Sequence, residues 1–299
     1  MKTILRTFVG CTAILFGTAC MGAVKYVPEN MKVELSLKVP GNNAVNYKLH
    51  PDKLENSYFD YEWRSDNKLP ITVFHKVEER DSCMRLTVQL TAAQDVYFNY
   101  RQLLSTGYRH DNCQFYMPGF WYRRNLRSPK KAPSFHTSDS WLVREDRLSA
   151  PLTGIFSEKE KRFMTVNRLD DFSMDALATH KEGEIILSGK TSLGFTGFEN
   201  QQGIAMLSFG FPYREAPKSY IRKLTLAPEV EAFQLMKKGE SVLLTWEIME
   251  SGADDFSDFI QHTWEHCYDT YAPKPVENSY SIADMKQVLS CFFVNSLVD

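Results

Sequence analysis

Apolar and polar residues alternate with a period of two through most of the chain, and this pattern predicts β-strands. Residues 31–39 alternate strictly, and residues 58–64 place Phe59, Tyr61 and Trp63 on one face. Such alternation is typical of a strand with one buried face and one wet face. Strands are predicted over 31–39, 58–64, 71–78, 84–90, 95–101, 140–145, 162–167, 184–188, 203–210, 220–226, 230–236 and 241–248. Many short strands with little helix between them predict a mainly β fold, a large antiparallel β-sandwich over residues 24–250.

The last two predicted strands flank the four residues Lys237-Lys-Gly-Glu240. Glycine readily adopts the backbone angles that a tight turn requires. A short Gly-containing connection between two strands is typical of a β-hairpin. The pattern therefore predicts that residues 230–236 and 241–248 pair with each other.

After residue 250 the apolar residues recur every three or four positions, which predicts two C-terminal helices. The first is an amphipathic connecting helix over 251–271, followed by a stiff linker over 272–280 that contains two prolines. The second helix occupies 281–299, where Ser281 and Asp284 are placed to cap its first turn.

The second helix is apolar on nearly every side from Val288 to Val298. A helix of this kind is expected to have neighbours all round, because otherwise it exposes a large apolar patch. We therefore expect residues 281–299 to be the start of a truncated helical domain. A terminal helix that docks into a groove of the sandwich is the alternative.

Residues 1–23 have the pattern of a signal peptide. Lys2 and Arg6 precede an apolar stretch over 9–16, and small residues follow at 17–19. The stretch is too short to span a bilayer. Cleavage after Ala19 would leave Cys20 at the new N-terminus, so a lipoprotein anchored through Cys20 is an alternative to a soluble exported form. Export to the periplasm or the cell surface is expected, with membrane contact only through such a lipid.

Composition agrees with an ordinary globular protein. The chain has 299 residues, of which 43% are hydrophobic and 24% charged, and its formal net charge is −2. A nucleic-acid-binding protein would be strongly basic, so no nucleic-acid partner is expected. Cys83 and Cys113 are candidates for a disulfide in an oxidising compartment, but their connectivity stays open at this stage.

Two patterns in the sequence resemble sites found in enzymes. His262, Glu265 and His266 match the H-x-x-E-H pattern of inverted zinc peptidases, but no convincing further carboxylate ligand follows them. Asp60 and Glu62 share a strand face and therefore lie close together, as the two catalytic acids of a glycosidase must. Many surface carboxylates lie equally close to each other. We therefore assign no catalytic residue, no metal ligand and no cofactor.

The segment over 115–144 combines aromatic with basic residues, and no acidic residue lies between Asp111 and Asp139. Its prolines and glycines interrupt the strand pattern and predict a long exposed loop. Aromatic faces suit the C–H faces of sugars, and arginine makes bidentate hydrogen bonds to carboxylate or sulfate groups. The candidate glycan-binding residues are Trp121, Tyr122, Arg123, Arg124, Arg127, His136, Trp141 and Arg144.

The expected partner of this loop is a polysaccharide or oligosaccharide, in particular an acidic one. Two other interpretations of the same residues stay open. The loop can form an interface with another domain, or its aromatic residues can simply anchor it to the sandwich.

Three short motifs and the order of elements point to a family. The motifs are Met117-Pro-Gly-Phe-Trp-Tyr122, Ser138-Asp-Ser-Trp141 and Ala283-Asp-Met-Lys-Gln-Val288. With them, the chain resembles the N-terminal β-sandwich region of secreted glycoside hydrolases of gut bacteria, in which an (α/α)6 barrel follows and carries the catalytic acids.

The resemblance implies a glycan-processing protein of polysaccharide utilisation that is inactive on its own, because the chain ends where the barrel would begin. A non-catalytic carbohydrate-binding or surface-glycan-binding protein is the alternative function. A purely structural partner domain is the third.

Overall fold

The computed structural model describes the following residues: 27–54, 60–80, 83–125, 136–170, 175, 182–220, 225–227, 229–274 and 281–296. The chain divides into two compact units, Met1–Ile260 and Gln261–Asp299. Each is described by itself.

The described residues form nineteen strands and two longer α-helices, so the mainly β fold with two C-terminal helices is confirmed. The strands are β1 (Met31–Lys38), β2 (Val45–Lys53), β3 (Asp60–Arg64), β4 (Ile71–Glu79), β5 (Cys83–Ala92), β6 (Val96–Arg109), β7 (Cys113–Met117), β8 (Trp121–Arg123), β9 (Ser140–Arg144), β10 (Leu152–Ser157), β11 (Arg162–Arg168), β12 (Gly183–Ile186), β13 (Phe195–Gln201), β14 (Ile204–Phe211), β15 (Arg214–Glu215), β16 (Lys218–Tyr220), β17 (Thr225–Ala227), β18 (Val230–Met236) and β19 (Ser241–Gly252). The helices are α1 (Phe256–Tyr271) and α2 (Ile282–Ser296).

Two antiparallel sheets make up the sandwich. Sheet A has the order β2-β1-β6-β14-β13-β9. Sheet B has the order β3-β4-β5-β19-β11-β10-β7-β8. Strand β2 pairs with β1 on one side and with β3 on the other, so it joins the two sheets at one corner.

The core lies between the inner faces of the two sheets. Sheet A contributes Leu35, Phe98 and Phe209, and sheet B contributes Val88 and Trp246, all fully or nearly fully buried. The rings of Phe209 and Trp246 lie 5.1 Å apart between centroids. Every second residue of these strands points inward, which is why the period-two pattern predicted them.

A chain of buried polar side chains crosses this core. The Nε2 atom of His75 lies 2.8 Å from the hydroxyl of Tyr100, which donates to Oε1 of Gln102 at 2.8 Å. Nε2 of His75 is therefore the donor in the first contact. Complete burial lowers the pKa of His75 to about 3, because desolvation disfavours the charged imidazolium. His75 is consequently neutral near pH 7.

A smaller sheet, in which β12 pairs in parallel with β18 and β15 pairs antiparallel with β18, has a core of its own. Arg214 of β15 connects this sheet to sheet A. It donates to Oδ1 of Asn99 at 2.9 Å and to Oγ of Ser36 at 3.0 Å, and it pairs with Glu231. These contacts supply the partners that a buried guanidinium needs.

Two details of the predicted strands are wrong. The single strand expected over 220–226 is two short strands, β16 and β17, that pair with each other. The hairpin expected around Gly239 is a turn between sheets, because β18 pairs with β6 of sheet A while β19 pairs with β5 and β11 of sheet B. A turn sequence fixes the local reversal of the chain but does not determine which strands pair.

The disulfide considered for Cys83 and Cys113 is not formed, since both thiols are free and buried. The Sγ atom of Cys113 donates to the carbonyl of Arg109 at 3.2 Å. Burial raises the pKa of Cys113 to about 12, so this thiol is protonated and unreactive at neutral pH.

Both C-terminal helices begin with side-chain caps. Oδ1 of Asp255 accepts hydrogen bonds from the backbone N–H of Ser257 and of Asp258, at 2.7 and 3.0 Å, before α1. At α2, the N–H of Ser281 donates to Asp284 and the N–H of Asp284 donates back to Oγ of Ser281, at 2.9 and 3.1 Å. The cap predicted for the second helix is therefore confirmed.

Within the first unit, α1 begins on the surface of sheet B. Phe259 lies 4.9 Å from Phe163 and 6.0 Å from Phe156 between ring centroids. In the second unit, α2 exposes its apolar side chains, which are Ile282, Met285, Val288, Leu289, Phe292, Phe293 and Val294. Among the described residues, neither helix is both long enough and apolar enough to cross a bilayer.

Candidate functional site

The segment over 115–144 is built differently from the long exposed loop that its sequence predicts. Its described residues include the end of β7, all of β8 and all of β9. Strands β7 and β8 form a tight antiparallel hairpin in which Met117 pairs with Trp121. Residues 126–135, and with them the candidate Arg127, lie outside the described residues.

Two of the candidate aromatic residues belong to the core. Trp121 is 0% exposed and Trp141 is 1% exposed, and their rings lie 4.8 Å apart between centroids. Trp121 also meets Phe198 edge to face at 5.1 Å, and its indole N–H donates to the carbonyl of Arg123 at 3.0 Å. The expectation that Trp121 and Trp141 offer open faces to a sugar is therefore wrong, and the anchoring interpretation describes them correctly.

Two of the candidate arginines serve local structure. The guanidinium of Arg124 donates to the carbonyls of Cys113 and Asp111 and lies 3.3 Å from a carboxylate oxygen of Glu158. Arg144 holds both carboxylate oxygens of Asp146, at 2.6 and 2.8 Å. Arg144 also lies 5.2 Å from the ring centroid of Tyr213. His136 is exposed.

The remaining candidates, together with Phe120, form an exposed patch that we call the β8 surface, consisting of Phe120, Tyr122 and Arg123. Tyr122 is 53% exposed, and its ring lies 5.4 Å from that of the buried Tyr116. The guanidinium of Arg123 lies 5.2 Å from the ring centroid of Phe256. The end of β8 thus exposes an aromatic ring that packs on Tyr116 and, at the next position, a cation that packs on Phe256.

The backbone at this point is strained. Arg123 has φ of 56° and Asn125 has φ of 49°, both in the left-handed region that residues with side chains rarely adopt. Such strain persists only where the surrounding structure imposes it, and it is concentrated at functional sites. The geometry of the β8 surface is therefore imposed by its neighbours.

A cleft of about 480 Å³, which we call the first cleft, opens beside β1, β2 and β3. Antiparallel pairing of β1 with β2 sets Glu34 opposite Lys48 at this place. The polar side chains that line the cleft are Glu29, Lys32, Glu34, Lys48, His50 and Gln201, and its apolar lining includes Met31, Leu49 and Trp63.

Trp63 supplies an unusual polar group to this region. The residue is 3% exposed and its ring lies 5.0 Å from that of His75. Its buried indole N–H has no hydrogen-bond acceptor among the described residues. An unsatisfied buried donor costs free energy, about 1–3 kcal/mol, so such groups require an explanation.

A second cleft of about 500 Å³ adjoins the first, and the two share Glu29, Lys32 and Gln201. Where they meet, the ammonium group of Lys32 donates to Oε1 of Gln201 at 2.5 Å. Amide and hydroxyl groups of Asn30, Ser105 and Gln202 complete the polar lining of the second cleft.

Sequence reasoning did not find these clefts. Lys32 and Gln201 are 169 residues apart, and Gln201 ends β13, a strand that the sequence pattern did not predict. The one sequence signal for the first cleft was Trp63, a large aromatic residue that alternates with the charged residues of β3.

No protein-family model matches the sequence, and no curated protein matches it. Among solved structures, the fold is similar to a polysaccharide lyase at a TM-score of 0.36 and 14% identity, covering 75% of this chain and 26% of the lyase. It is similar to the Slr1438 protein from Synechocystis sp. PCC 6803 at a TM-score of 0.39 and 6% identity, covering 72% and 73% of the two chains.

A GH36 alpha-galactosidase, AgaA from Geobacillus stearothermophilus, is similar at a TM-score of 0.39 and 12% identity, covering 75% of this chain and 30% of the enzyme. The chain thus spans less than a third of the length of the lyase and of the galactosidase. Glycoside hydrolase and polysaccharide lyase chains are among its structural neighbours, matched over part of their length.

Proposed function

We propose that this is an exported glycan-associated protein that binds acidic polysaccharide through the β8 surface. One observation carries the proposal, the exposure of an aromatic ring and a guanidinium at successive positions, Tyr122 and Arg123, on a strained turn. The aromatic face suits the C–H face of a sugar, and the guanidinium suits a carboxylate or sulfate. The role is that of the β-sandwich portion of a glycan-processing, glycoside hydrolase-like protein.

The binding test uses the full chain in affinity electrophoresis against polygalacturonate, chondroitin sulfate and a neutral glucan. Tyr122→Ala removes the ring and is expected to weaken binding by about 1–3 kcal/mol, the range for an anchor aromatic. Tyr122→Phe keeps the ring and serves as its matched control. Arg123→Asn removes the charge with a residue that tolerates the left-handed backbone.

Arg123→Asn is expected to reduce retardation by the two acidic polymers more than by the neutral glucan, and added salt should shrink this difference. If the wild-type protein is retarded by neither acidic polymer, the proposed function is wrong. Equal effects of Tyr122→Ala and Tyr122→Phe would show that the ring makes no contact with sugar.

A further assay tests whether this chain cleaves the glycans that it binds. Polysaccharides that retard the protein are incubated with it, and reducing ends are measured. Release of reducing ends would show that this chain has glycan-cleaving activity of its own. Binding without release is expected both for the inactive sandwich portion of an enzyme and for a surface-glycan-binding protein.

The export part of the proposal rests on the basic start and the apolar stretch over 9–16. Expressed in a host with a secretion pathway, the protein should lose residues up to Ala19. Intact mass measured on exported material decides the point, since retention of Met1 would contradict export. An added lipid mass that disappears in Cys20→Ser would identify the anchored form.

A further inference from the structure

We propose a second carbohydrate site, separate from the β8 surface, in which the first and second clefts together bind a short neutral oligosaccharide. We call the two adjoining clefts the β1 groove. Nothing in this proposal depends on the β8 surface, because the two share no residue.

The charges around the β1 groove favour a neutral ligand. Lys32 and Lys48 are matched by Glu29 and Glu34, and the second cleft contains only Lys32 and Glu29 as charged side chains. Glu34 is further compensated by Arg101, whose guanidinium lies 3.1 Å from it. A ligand with a net charge of either sign would lie close to at least one protein side chain of the same sign. The repulsion between them costs binding free energy.

The hydrogen-bonding groups favour a ligand rich in hydroxyl groups. The groove offers both hydrogen-bond donors and hydrogen-bond acceptors, since the side-chain amides of Asn30, Gln201 and Gln202 each provide both. A hydroxyl group also donates and accepts, so successive sugar hydroxyls can match such a lining. Met31 and Leu49 line the first cleft as well, but both are almost fully buried in the core, so the polar groups provide most of the contact surface.

Trp63 provides a buried donor at the edge of the first cleft. Its indole N–H lacks an acceptor within the described part of the chain, although the residue borders the first cleft. A sugar oxygen can accept from this N–H only if the buried indole shifts, so we expect ligand binding to move Trp63. Binding would thus satisfy a donor that is buried without a partner in the free protein.

The dimensions favour several linked sugar units. Each cleft falls within the size range of small-molecule sites, about 300–1,000 Å³. The clefts meet at the contact between Lys32 and Gln201, so a linear ligand that occupies both must cross this contact. We therefore expect Gln201 to contact both the part of the ligand in the first cleft and the part in the second cleft.

The experiment measures binding of maltohexaose, cellohexaose and mannohexaose, and of the corresponding trisaccharides, to the full chain by isothermal titration calorimetry. We expect at least one hexaose to bind, and to bind more tightly than its trisaccharide. Gln201→Ala should weaken this binding about tenfold, as expected for lost hydrogen bonds. Gln89→Ala, an exposed glutamine of β5 outside both clefts, is the matched control and should have no effect.

Trp63→Phe keeps an aromatic side chain but removes the pyrrole part of the indole with its N–H, and it should weaken binding severalfold. The melting temperature reports how much stability the smaller ring costs. Tyr122→Ala should leave hexaose binding unchanged, which separates this site from the β8 surface. Absence of binding by all three hexaoses would overturn the proposal. So would binding that Gln201→Ala does not weaken, or binding that Tyr122→Ala abolishes.

Discussion

At the scale of single residues, neighbours in the sequence have opposite roles. Trp121 fills the core whereas Tyr122 is half exposed, because successive side chains of a strand point to opposite faces. The sequence pattern could not separate them, since both are aromatic and β8 is only three residues long. Their burial determines what substitution at each position should do.

Trp121→Ala is expected to lower the free energy of unfolding by about 3–5 kcal/mol, because it leaves a large cavity against Trp141 and Phe198. Tyr122→Ala should lower it by about 1 kcal/mol or less, as for an exposed residue. Urea unfolding of both variants checks this pair. Similar stabilities of the two variants would contradict the burial of Trp121.

His75 gives a pH-dependent prediction. Its pKa is about 3 in the folded protein, against about 6.5 in the unfolded chain, so between these values only the unfolded chain binds the proton. The stability contributed by neutral His75 is therefore complete above pH 6.5 and is lost as the pH falls. The loss from this group is about 1.4 kcal/mol per pH unit within that window.

The control is His75→Gln, which can still donate a hydrogen bond to Tyr100 but does not titrate. It should be less stable than wild type at pH 7.5, and the difference should shrink by about 2 kcal/mol at pH 5. Unfolding in urea at the two pH values measures it. A difference independent of pH would mean that His75 is not the group that titrates.

At the scale of elements, alternation predicted strands that have one wet face, and the sequence also predicted β11 and β14, which are buried along almost their whole length. β4 and β5 alternate, and both were found. β10 and most of β13 are buried on both sides, so their sequences carry no alternation and they were missed. Whether the second face of a strand is covered depends on distant parts of the chain. The periodicity of the strand's own sequence carries no information about those parts.

Close approach of strands fixes the identity of one glycine in β13. A Cβ at Gly197 would lie 1.9 Å from the carbonyl oxygen of Trp141 and 2.9 Å from Cα of Leu142. Both atoms belong to the backbone of β9, which pairs with β13 here. A methyl group therefore cannot fit unless the two strands separate.

Gly197→Ala is expected to destabilise the protein by about 3 kcal/mol, the upper range for overpacking. Gly252→Ala is the matched control, since the nearest atom to its Cβ would be 3.7 Å away. It should change stability by about 1 kcal/mol or less. Thermal unfolding of the two variants compares them directly, and equal melting temperatures would contradict the close packing of β9 on β13.

At the scale of the whole molecule, sites form where distant segments meet. The sandwich and the two helices could be predicted from periodicity and from the cap at Ser281, because these signals are local. The β1 groove could not, since it requires the side chain of Gln201 at the end of β13 to meet that of Lys32 at the start of β1, although β6 and β14 lie between these strands. The burial of Trp121 likewise depends on Phe198, far along the chain.

The apolar side chains of α2 give the last prediction. Phe292 and Phe293 are 53% and 55% exposed, and burial of a phenylalanine side chain is worth about 1.5–3 kcal/mol. The full chain should therefore bind an apolar dye and associate with itself at high concentration. The double variant Phe292→Glu/Phe293→Glu should bind less dye and associate more weakly. Asn295→Glu, at an exposed polar position of the same helix, should behave as wild type.

Dye fluorescence and analytical ultracentrifugation measure the two effects, and circular dichroism shows whether the helix is retained in each variant. The comparison is sharp because both variants add negative charge to α2, but only the double variant removes apolar surface. If Asn295→Glu suppresses dye binding and association as strongly as the double variant does, charge repulsion is the cause. If neither variant has an effect, the exposed phenylalanines of α2 do not govern the association of this protein.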